Sequence, residues 1–157
     1  MLRQERSRAS TREQLIALLD AFQAAERAGA DAVGGWIRVC SDARLRGGLR
    51  VIGVRDRSHA RLAEARLREL GGIPSAQVSR ELAALCAVVA DPGVSDRSKL
   101  AMLLERFPSA ESPLAGVVRR IDDDVETRAV LETIADDERA SVAWMRRMRD
   151  LLEAEGA

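Results

Sequence analysis

The sequence predicts an all-α protein built as a bundle of four helices with a broken middle segment. Hydrophobic residues make up 46% of the 157-residue chain, but only 3% of residues are aromatic and none is Tyr, a balance that favours helices over strands. All four prolines lie between positions 74 and 113, so both flanks permit long uninterrupted helices. Along those flanks, apolar residues recur at the spacings of three and four that are typical of one helix face.

The first helix is predicted to begin at Ser10. Ser10 and Glu13 form a Ser-x-x-Glu capping box, a pattern that satisfies the free amide groups of a helix N-terminus. The apolar stripe that follows includes one acid, Glu26. Residues 1–10 are expected to form a flexible basic arm, and residues 11–157 a single helical domain.

The second helix is predicted to run from an N-cap at Asp42 to the Gly71-Gly72 pair, which is a good C-terminal signal. Its apolar stripe contains Asp56 and, one turn later, His59, which is the only histidine of the chain. The connection to the first helix is short, so the two helices should pack as an antiparallel hairpin.

The prolines divide the middle of the chain into shorter helices. Ser75 is predicted to cap a helix that reaches about Ala90, and Ser95 a helix that reaches Phe107. Ser112-Pro113 resembles a further helix N-terminus. The pattern leaves open which of these pieces is the third helix of the bundle.

The last helix is predicted to begin at Asp122 or Asp123 and to continue to Glu155. Glu138 lies near the middle of its apolar face. That face consists of Val125, Arg128, Leu131, Ile134, Glu138, Ser141, Met145, Met148 and Leu152. Each long helix spans ~30 residues, or ~45 Å, and carries its acid about halfway along. The three acids are therefore predicted to meet at one depth of the bundle.

Carboxylates on apolar helix faces are costly to bury unless they are paired, protonated or bound to a cation. Glu26, Asp56 and Glu138, together with His59, provide the mixed carboxylate and imidazole ligands that suit iron, manganese or zinc. Guanidinium groups offer an alternative, since they often hold buried carboxylates. The arginines considered for this pairing are Arg55, Arg57, Arg128 and Arg139.

At these residues the chain resembles the ferritin-like superfamily, including rubrerythrin-type bundles. Members hold paired iron or manganese ions with a Glu from each of two helices and Glu-x-x-His from each of the other two. Glu26 matches the first-helix glutamate. Asp56-Arg57-Ser58-His59 matches one Glu-x-x-His motif with Asp in place of Glu, and Glu138-Arg139-Ala140-Ser141 matches the other with Ser in place of His.

The resemblance implies an antiparallel four-helix bundle with a metal site. Its implied ligands are Glu26, Asp56, His59, Glu81 and Glu138. Glu81 stands for the third-helix glutamate and is preferred to Glu105, because it lies nearer to the apolar stripe of its own segment.

The implied function is the binding of iron or manganese at a reduced carboxylate and histidine site, with oxidase-type or stress-protective activity. The alternative is a non-catalytic, self-associating scaffold that has lost its metal site, since the two substitutions are also what decay of such a site would produce. We expect a homodimer in the cytoplasm.

Other function classes are disfavoured by composition. Arg3, Arg6, Arg8 and Arg12 form a basic stretch, but a net charge of zero and a single lysine, Lys99, make a nucleic-acid partner unlikely. No apolar run approaches the ~20 residues of a membrane span. No phosphate-binding loop or nucleophilic triad is present in the sequence.

The cysteines and tryptophans are assigned structural roles. Cys40 and Cys86 lack zinc-like spacing and are expected to be buried free thiols. Trp36 and Trp144 are expected to pack in the core or at an interface.

Overall fold

The computed structural model describes residues 11–109 and 112–156, and within these residues every regular element is an α-helix. The all-α prediction is therefore confirmed. The helices are α1 (Arg12–Val39), α2 (Ala43–Glu69), α3 (Arg80–Ala90), α4 (Asp96–Glu105), α5 (Leu114–Val118) and α6 (Val125–Glu155). None of them is long and apolar enough to cross a membrane. The predicted basic arm at residues 1–10 lies outside the described residues.

Contacts between α1 and α2 fix an antiparallel hairpin, as the short connection predicts. Arg12, at the start of α1, donates a hydrogen bond to the carbonyl of Leu70, which follows the end of α2, at 2.9 Å. Farther along the hairpin, Arg27 pairs with Glu64 at 2.6 Å. Of these two contacts, the one nearer the N-terminus of α1 involves the residue nearer the C-terminus of α2, as antiparallel packing requires.

The third long helix, α6, also runs antiparallel to α2. Arg44, near the start of α2, pairs with Glu155 at the end of α6 at 2.7 Å, while Arg66 pairs with Asp124 at the other end at 3.0 Å. Helix α3 packs against α1, and α4 and α5 pack against α6. The middle of the chain thus supplies several short helices where the sequence left the third helix of the bundle undecided.

Most predicted helix boundaries are close to those observed. Asp42 caps α2 by accepting hydrogen bonds from the amides of Arg44 and Leu45, and Ser95 caps α4. At the end of α2, Gly71 has a φ of 82°, and the amides of Gly71 and Gly72 bond the carbonyls of Arg68 and Leu67. This Schellman arrangement needs the left-handed conformation that glycine adopts without strain.

Three predicted helix starts are wrong. The N-cap of α1 is Thr11, whose capping box includes Gln14, in place of the predicted Ser10. Asp124 caps α6, one or two residues after the predicted start. Ser79, not Ser75, caps α3, because the amide and hydroxyl of Ser75 are already bound to the carboxylate of Asp20 on α1.

The interior consists of two apolar clusters stacked along the helices. One of them, called the upper cluster, contains residues from the C-terminal halves of α1 and α6, from the N-terminal half of α2, and from the short helices α3 and α4. The lower cluster draws on the opposite halves of the long helices and on α5. On α1 the lower cluster ends at Phe22 and the upper cluster begins at Ala32. The level of the bundle between these two residues is left for polar side chains.

Asp96, the first residue of α4, joins that helix to the connection between α1 and α2. Asp96 accepts hydrogen bonds from the indole of the fully buried Trp36 at 2.7 Å and from the hydroxyl of Ser41 at 2.8 Å. Burial alone would raise the pKa of Asp96, but these hydrogen bonds lower it below its usual value. Trp36 is therefore a core residue, as predicted, while Trp144 is half-buried.

Two adjacent glycines of α2 provide a matched test of helix packing. A Cβ at Gly47 would meet open space, whereas a Cβ at Gly48 would overlap the ring of Trp144. We expect Gly47→Ala to raise the free energy of unfolding by about 1 kcal/mol through helix propensity. Gly48→Ala should lower it by about 1–3 kcal/mol through overpacking. Urea denaturation measures both, and equal gains would show that α6 is not held against this turn of α2.

Lys99 provides a second test, because its ammonium group is buried. The side chain is 1% exposed, and its Nζ lies 5.7 Å from the centre of the Trp36 ring and has no hydrogen-bond partner in the described part of the chain. We expect Lys99→Met to raise the free energy of unfolding by about 1 kcal/mol, since loss of a buried unpaired donor outweighs loss of the cation–π contact. Lys99→Arg, the control, keeps the buried charge and should be destabilising. A less stable Lys99→Met would contradict this.

Candidate metal centre

His59 lies at the centre of a polar cluster between the two apolar clusters. It is 3% exposed, and both ring nitrogens are bonded: Nδ1 lies 3.1 Å from Glu26 Oε2 on α1, and Nε2 lies 3.1 Å from Asp137 Oδ2 on α6. Burial disfavours the charged imidazolium, but the hydrogen bonds to Glu26 and Asp137 outweigh it and raise the pKa of His59. One side chain of α2 thus links all three long helices.

Asp56 lies one turn before His59 on the same face of α2. Its carboxylate is half-buried, and no group in residues 11–109 or 112–156 donates a hydrogen bond to it. Burial, followed by the negative charge of Glu26, raises the pKa of Asp56 to about 7. At neutral pH this carboxyl group therefore holds a proton part of the time, in the absence of any other cation.

Glu138 enters the cluster from α6. Its Oε2 accepts a hydrogen bond from the hydroxyl of Ser112, which also accepts one from the amide of Leu114 at the start of α5. Burial raises the pKa of Glu138; the Ser112 bond opposes this and the charge of Glu26 adds to it. The segment before α5 therefore closes one side of the cluster.

The structure brings together four of the five predicted ligands. Glu26, Asp56, His59 and Glu138 line one cavity, as expected from their matching depth along the helices. Glu81 is not among them, and this prediction is corrected: its carboxylate is 81% exposed and pairs with Arg106 at 3.2 Å. Because α3 begins at residue 80, Glu81 lies in its first turn, away from the middle of the long helices. The alternative, Glu105, is also exposed.

The predicted pairing of these acids with neighbouring arginines is wrong for three of the arginines considered. Arg55 donates to Ser141 at 3.2 Å and lies 4.0 Å from Asp137. Arg57 donates to the carbonyl of Gly53, and Arg139 pairs with Asp136. None of these three arginines forms an ion pair or hydrogen bond with Glu26, Asp56 or Glu138, although the positive charge of Arg57 partly offsets the raised pKa of Asp56.

Two members of the cluster were missed in the sequence. Asp137 belongs to the acidic run Asp136-Asp137-Glu138, and such runs are typical of a solvated helix face, yet Asp137 lies three residues after Ile134 and four before Ser141, within reach of the buried face. Ser112 was interpreted only as a helix start. Spacing could have indicated Asp137. Nothing in the sequence could have placed Ser112 beside Glu138, because that contact depends on how the connection folds.

The residues of this cluster fit a metal ion. One ligand atom each from Glu26, Asp56 and His59 lies within 4.8 Å of the others. Glu26 Oε2 and His59 Nδ1 are 3.1 Å apart, close to the about 3.0 Å that separates two ligands at a right angle around an ion about 2.1 Å from each. Asp137, on the far ring nitrogen, provides the carboxylate that commonly orients a metal-binding histidine.

Comparisons of this chain with protein-family models, with curated proteins and with solved structures give no match. The chemistry available to the cluster must therefore be inferred from its own residues. Those residues are a half-buried carboxylate, a histidine held at both nitrogens and two further acids, all facing one cavity.

The raised pKa values predict how the metal-free protein responds to pH. Folded Asp56 keeps its proton up to about pH 7, whereas in the unfolded chain an Asp loses it near pH 4. The unfolding free energy should therefore fall as pH rises between these values, by up to about 1.4 kcal/mol per pH unit. His59, with its raised pKa, acts in the same direction: its stabilising contribution is complete below about pH 6.5 and is lost as pH rises through the folded-state pKa.

Urea denaturation at pH 5 to 8 in the presence of a chelator measures this effect. Asp56→Asn should flatten the decline, whereas Asp123→Asn, which changes an exposed acid in the connection before α6, should keep the slope of the unsubstituted protein. A slope that Asp56→Asn leaves unchanged would show that Asp56 does not hold a proton in the folded state.

Proposed function

We propose that this protein binds a single divalent transition-metal ion, iron or manganese, at Glu26, Asp56, His59 and Glu138. The observation that carries the proposal is that half-buried acids share one cavity with a buried histidine, while Arg55, Arg57 and Arg139 form their hydrogen bonds and ion pairs with other groups. A cation is the partner that such a group lacks. Carboxylate and imidazole ligands together suit iron, manganese or zinc.

We further propose that the helices form a ferritin-like bundle. Support comes from three long helices that each contribute to the cluster near their middle, with Glu26 from α1, Asp56 and His59 from α2, and Glu138 from α6. Helices α3 and α4, separated at Pro92, would take the fourth position, which agrees with a broken middle segment. Ser141 stands where the second Glu-x-x-His motif would have its histidine, and its hydroxyl accepts a hydrogen bond from Arg55. Because a second metal ion would lack this histidine ligand, the site favours one ion over two.

Within this site Glu26, Asp56 and His59, whose ligand atoms lie within 4.8 Å of one another, have distinct roles. Glu26 and Asp56 would supply negative charge, and His59 a neutral nitrogen at Nδ1 once the proton between it and Glu26 is displaced. Asp137 would accept a hydrogen bond from Nε2–H and so fix the orientation of the ring. If iron is the ion, it would supply one-electron chemistry with dioxygen or peroxide, which is the basis for proposing an oxidase-type or stress-protective activity.

The test is elemental analysis of protein purified without chelator from cells grown with iron or manganese, followed by calorimetric titration of the metal-free protein with Mn(II). We expect about one ion per chain. Asp56→Ala and His59→Ala should lose it, because each removes a ligand. Asp137→Asn should weaken binding about 10–100-fold through the orientation of His59.

Glu81→Ala is the matched control, since Glu81 is an exposed acid outside the cluster and should retain the metal. Retention of metal in both Asp56→Ala and His59→Ala would exclude this site. Absence of metal and of any stabilisation by Mn(II) or Fe(II) would favour the alternative of a non-catalytic scaffold. Self-association of such a scaffold, like the homodimer, stays a prediction. The exposed apolar residues of α2, which are Val51, Val54 and Leu62, are the surface where an interface should be sought.

A further inference from the structure

The cavity that contains the carboxylates is much larger than a metal ion requires. Its volume is about 220 Å³, and residues of α1, α2, α3, α4 and α6 line it. An engineered apolar cavity of about 150 Å³ holds a benzene molecule. The space in this protein is therefore sufficient for an organic molecule somewhat larger than benzene.

Most of the cavity wall is apolar. Helices α3 and α4 contribute side chains that face others from α1 and α2 across the space. Representative wall residues are Val33, Ile52, Leu85, Val89, Leu103 and Phe107. A hydrated ion would leave this surface in contact with water or empty space. An apolar body would bury it, with a gain of about 25 cal/mol for each Å² removed from water.

Most of the charged residues that line the cavity are acids. Glu26, Asp56 and Glu138 line the cavity together with His59, whose two nitrogens are already bonded to carboxylates. Arg106 also lines the cavity, but it is 41% exposed and pairs with Glu81, so it marks the solvent side. A neutral apolar molecule would leave the carboxylate of Asp56 without a hydrogen-bond donor, and an anion would be repelled by all three carboxylates.

We propose that this cavity binds a small primary ammonium compound with an apolar body, the ammonium group lying against Glu26, Asp56 and Glu138 and the body against the walls from α3 and α4. Such a compound satisfies both kinds of surface, which a hydrated ion, a neutral apolar molecule or an anion does not. An ammonium group donates three hydrogen bonds, and Asp56 has accepting oxygens that no donor in the described residues occupies. The inference goes beyond metal binding and does not depend on it, since the same carboxylates serve either cation.

The test compares two ligands of nearly equal shape. Benzylamine, protonated at neutral pH, and benzyl alcohol are titrated calorimetrically into the full chain after metal has been removed with a chelator. We expect benzylamine to bind at least tenfold more tightly, because only its ammonium group neutralises the carboxylates. Equal affinity for the two ligands, or no binding of benzylamine, would overturn the proposal.

Two substitutions assign binding to the two parts of the cavity. Asp56→Asn removes a carboxylate and should weaken benzylamine at least tenfold. Cys86→Phe fills the wall from α3 and should weaken benzylamine to the same degree, while Mn(II) binding stays within twofold of that of the unsubstituted protein, because the carboxylates are unchanged. Glu105→Gln, which changes an exposed acid that does not line the cavity, is the control and should bind both benzylamine and Mn(II) as the unsubstituted protein does. Benzylamine binding that survives both Asp56→Asn and Cys86→Phe would place it elsewhere and refute the proposal.

A further measurement needs no substitution. Cys86 lines the cavity, whereas Cys40 is buried near Asp96 and does not, so saturating benzylamine should slow alkylation of Cys86 at least threefold and leave Cys40 unchanged. Equal rates with and without ligand would count against the proposal.

The outcomes for the two proposals are separable. Binding of Mn(II) without benzylamine would refute the ammonium site and leave the metal site standing. Binding of benzylamine without any binding of Mn(II) would refute the metal site and leave the ammonium site standing. If both bind, they should compete, because both need Asp56, and simultaneous saturation by both would contradict the shared site.

Discussion

The burial of carboxylates at one level of the helical assembly is the constraint on which the rest of the structure depends. Each long helix carries apolar residues above and below that level, and the two apolar clusters are separated there. His59 bridges the level by bonding Glu26 on one neighbouring helix and Asp137 on the other. The helices therefore keep their register not only through apolar packing but through a polar connection that a shift by one turn would break.

This constraint also explains the chemistry of the cluster. Buried acids that are not neutralised by arginine resist ionisation, which is why burial and the charge of Glu26 raise the pKa of Asp56. The folded protein thus keeps a site where a proton relieves the repulsion among the carboxylates, and the proposed metal ion or ammonium group would relieve it in the same way. Such a site is costly to maintain, and its adjoining cavity leaves room that a purely structural core would fill.

Tertiary contacts of the short helices complete the site. Asp96 holds the start of α4 to Trp36 and Ser41, so α4 covers one end of the assembly. Asp20 holds Ser75 in the connection before α3, which delays the start of that helix to residue 80 and places Glu81 in its exposed first turn. The same connection that removed a predicted ligand thereby brought apolar residues of α3 over the carboxylates.

The sequence by itself determined the helices and the depth of the acids. Periodicity, the Asp42 cap and the Gly71-Gly72 stop are local signals, and the distance of Glu26, Asp56 and Glu138 along their helices follows from a fixed rise per residue. Only the tertiary structure decided that Asp137 and Ser112 join the cluster, that Glu81 does not, and that a cavity lies beside it. These features depend on the paths of the connections and on side-chain directions between helices, and neither is encoded in the periodicity of any one segment.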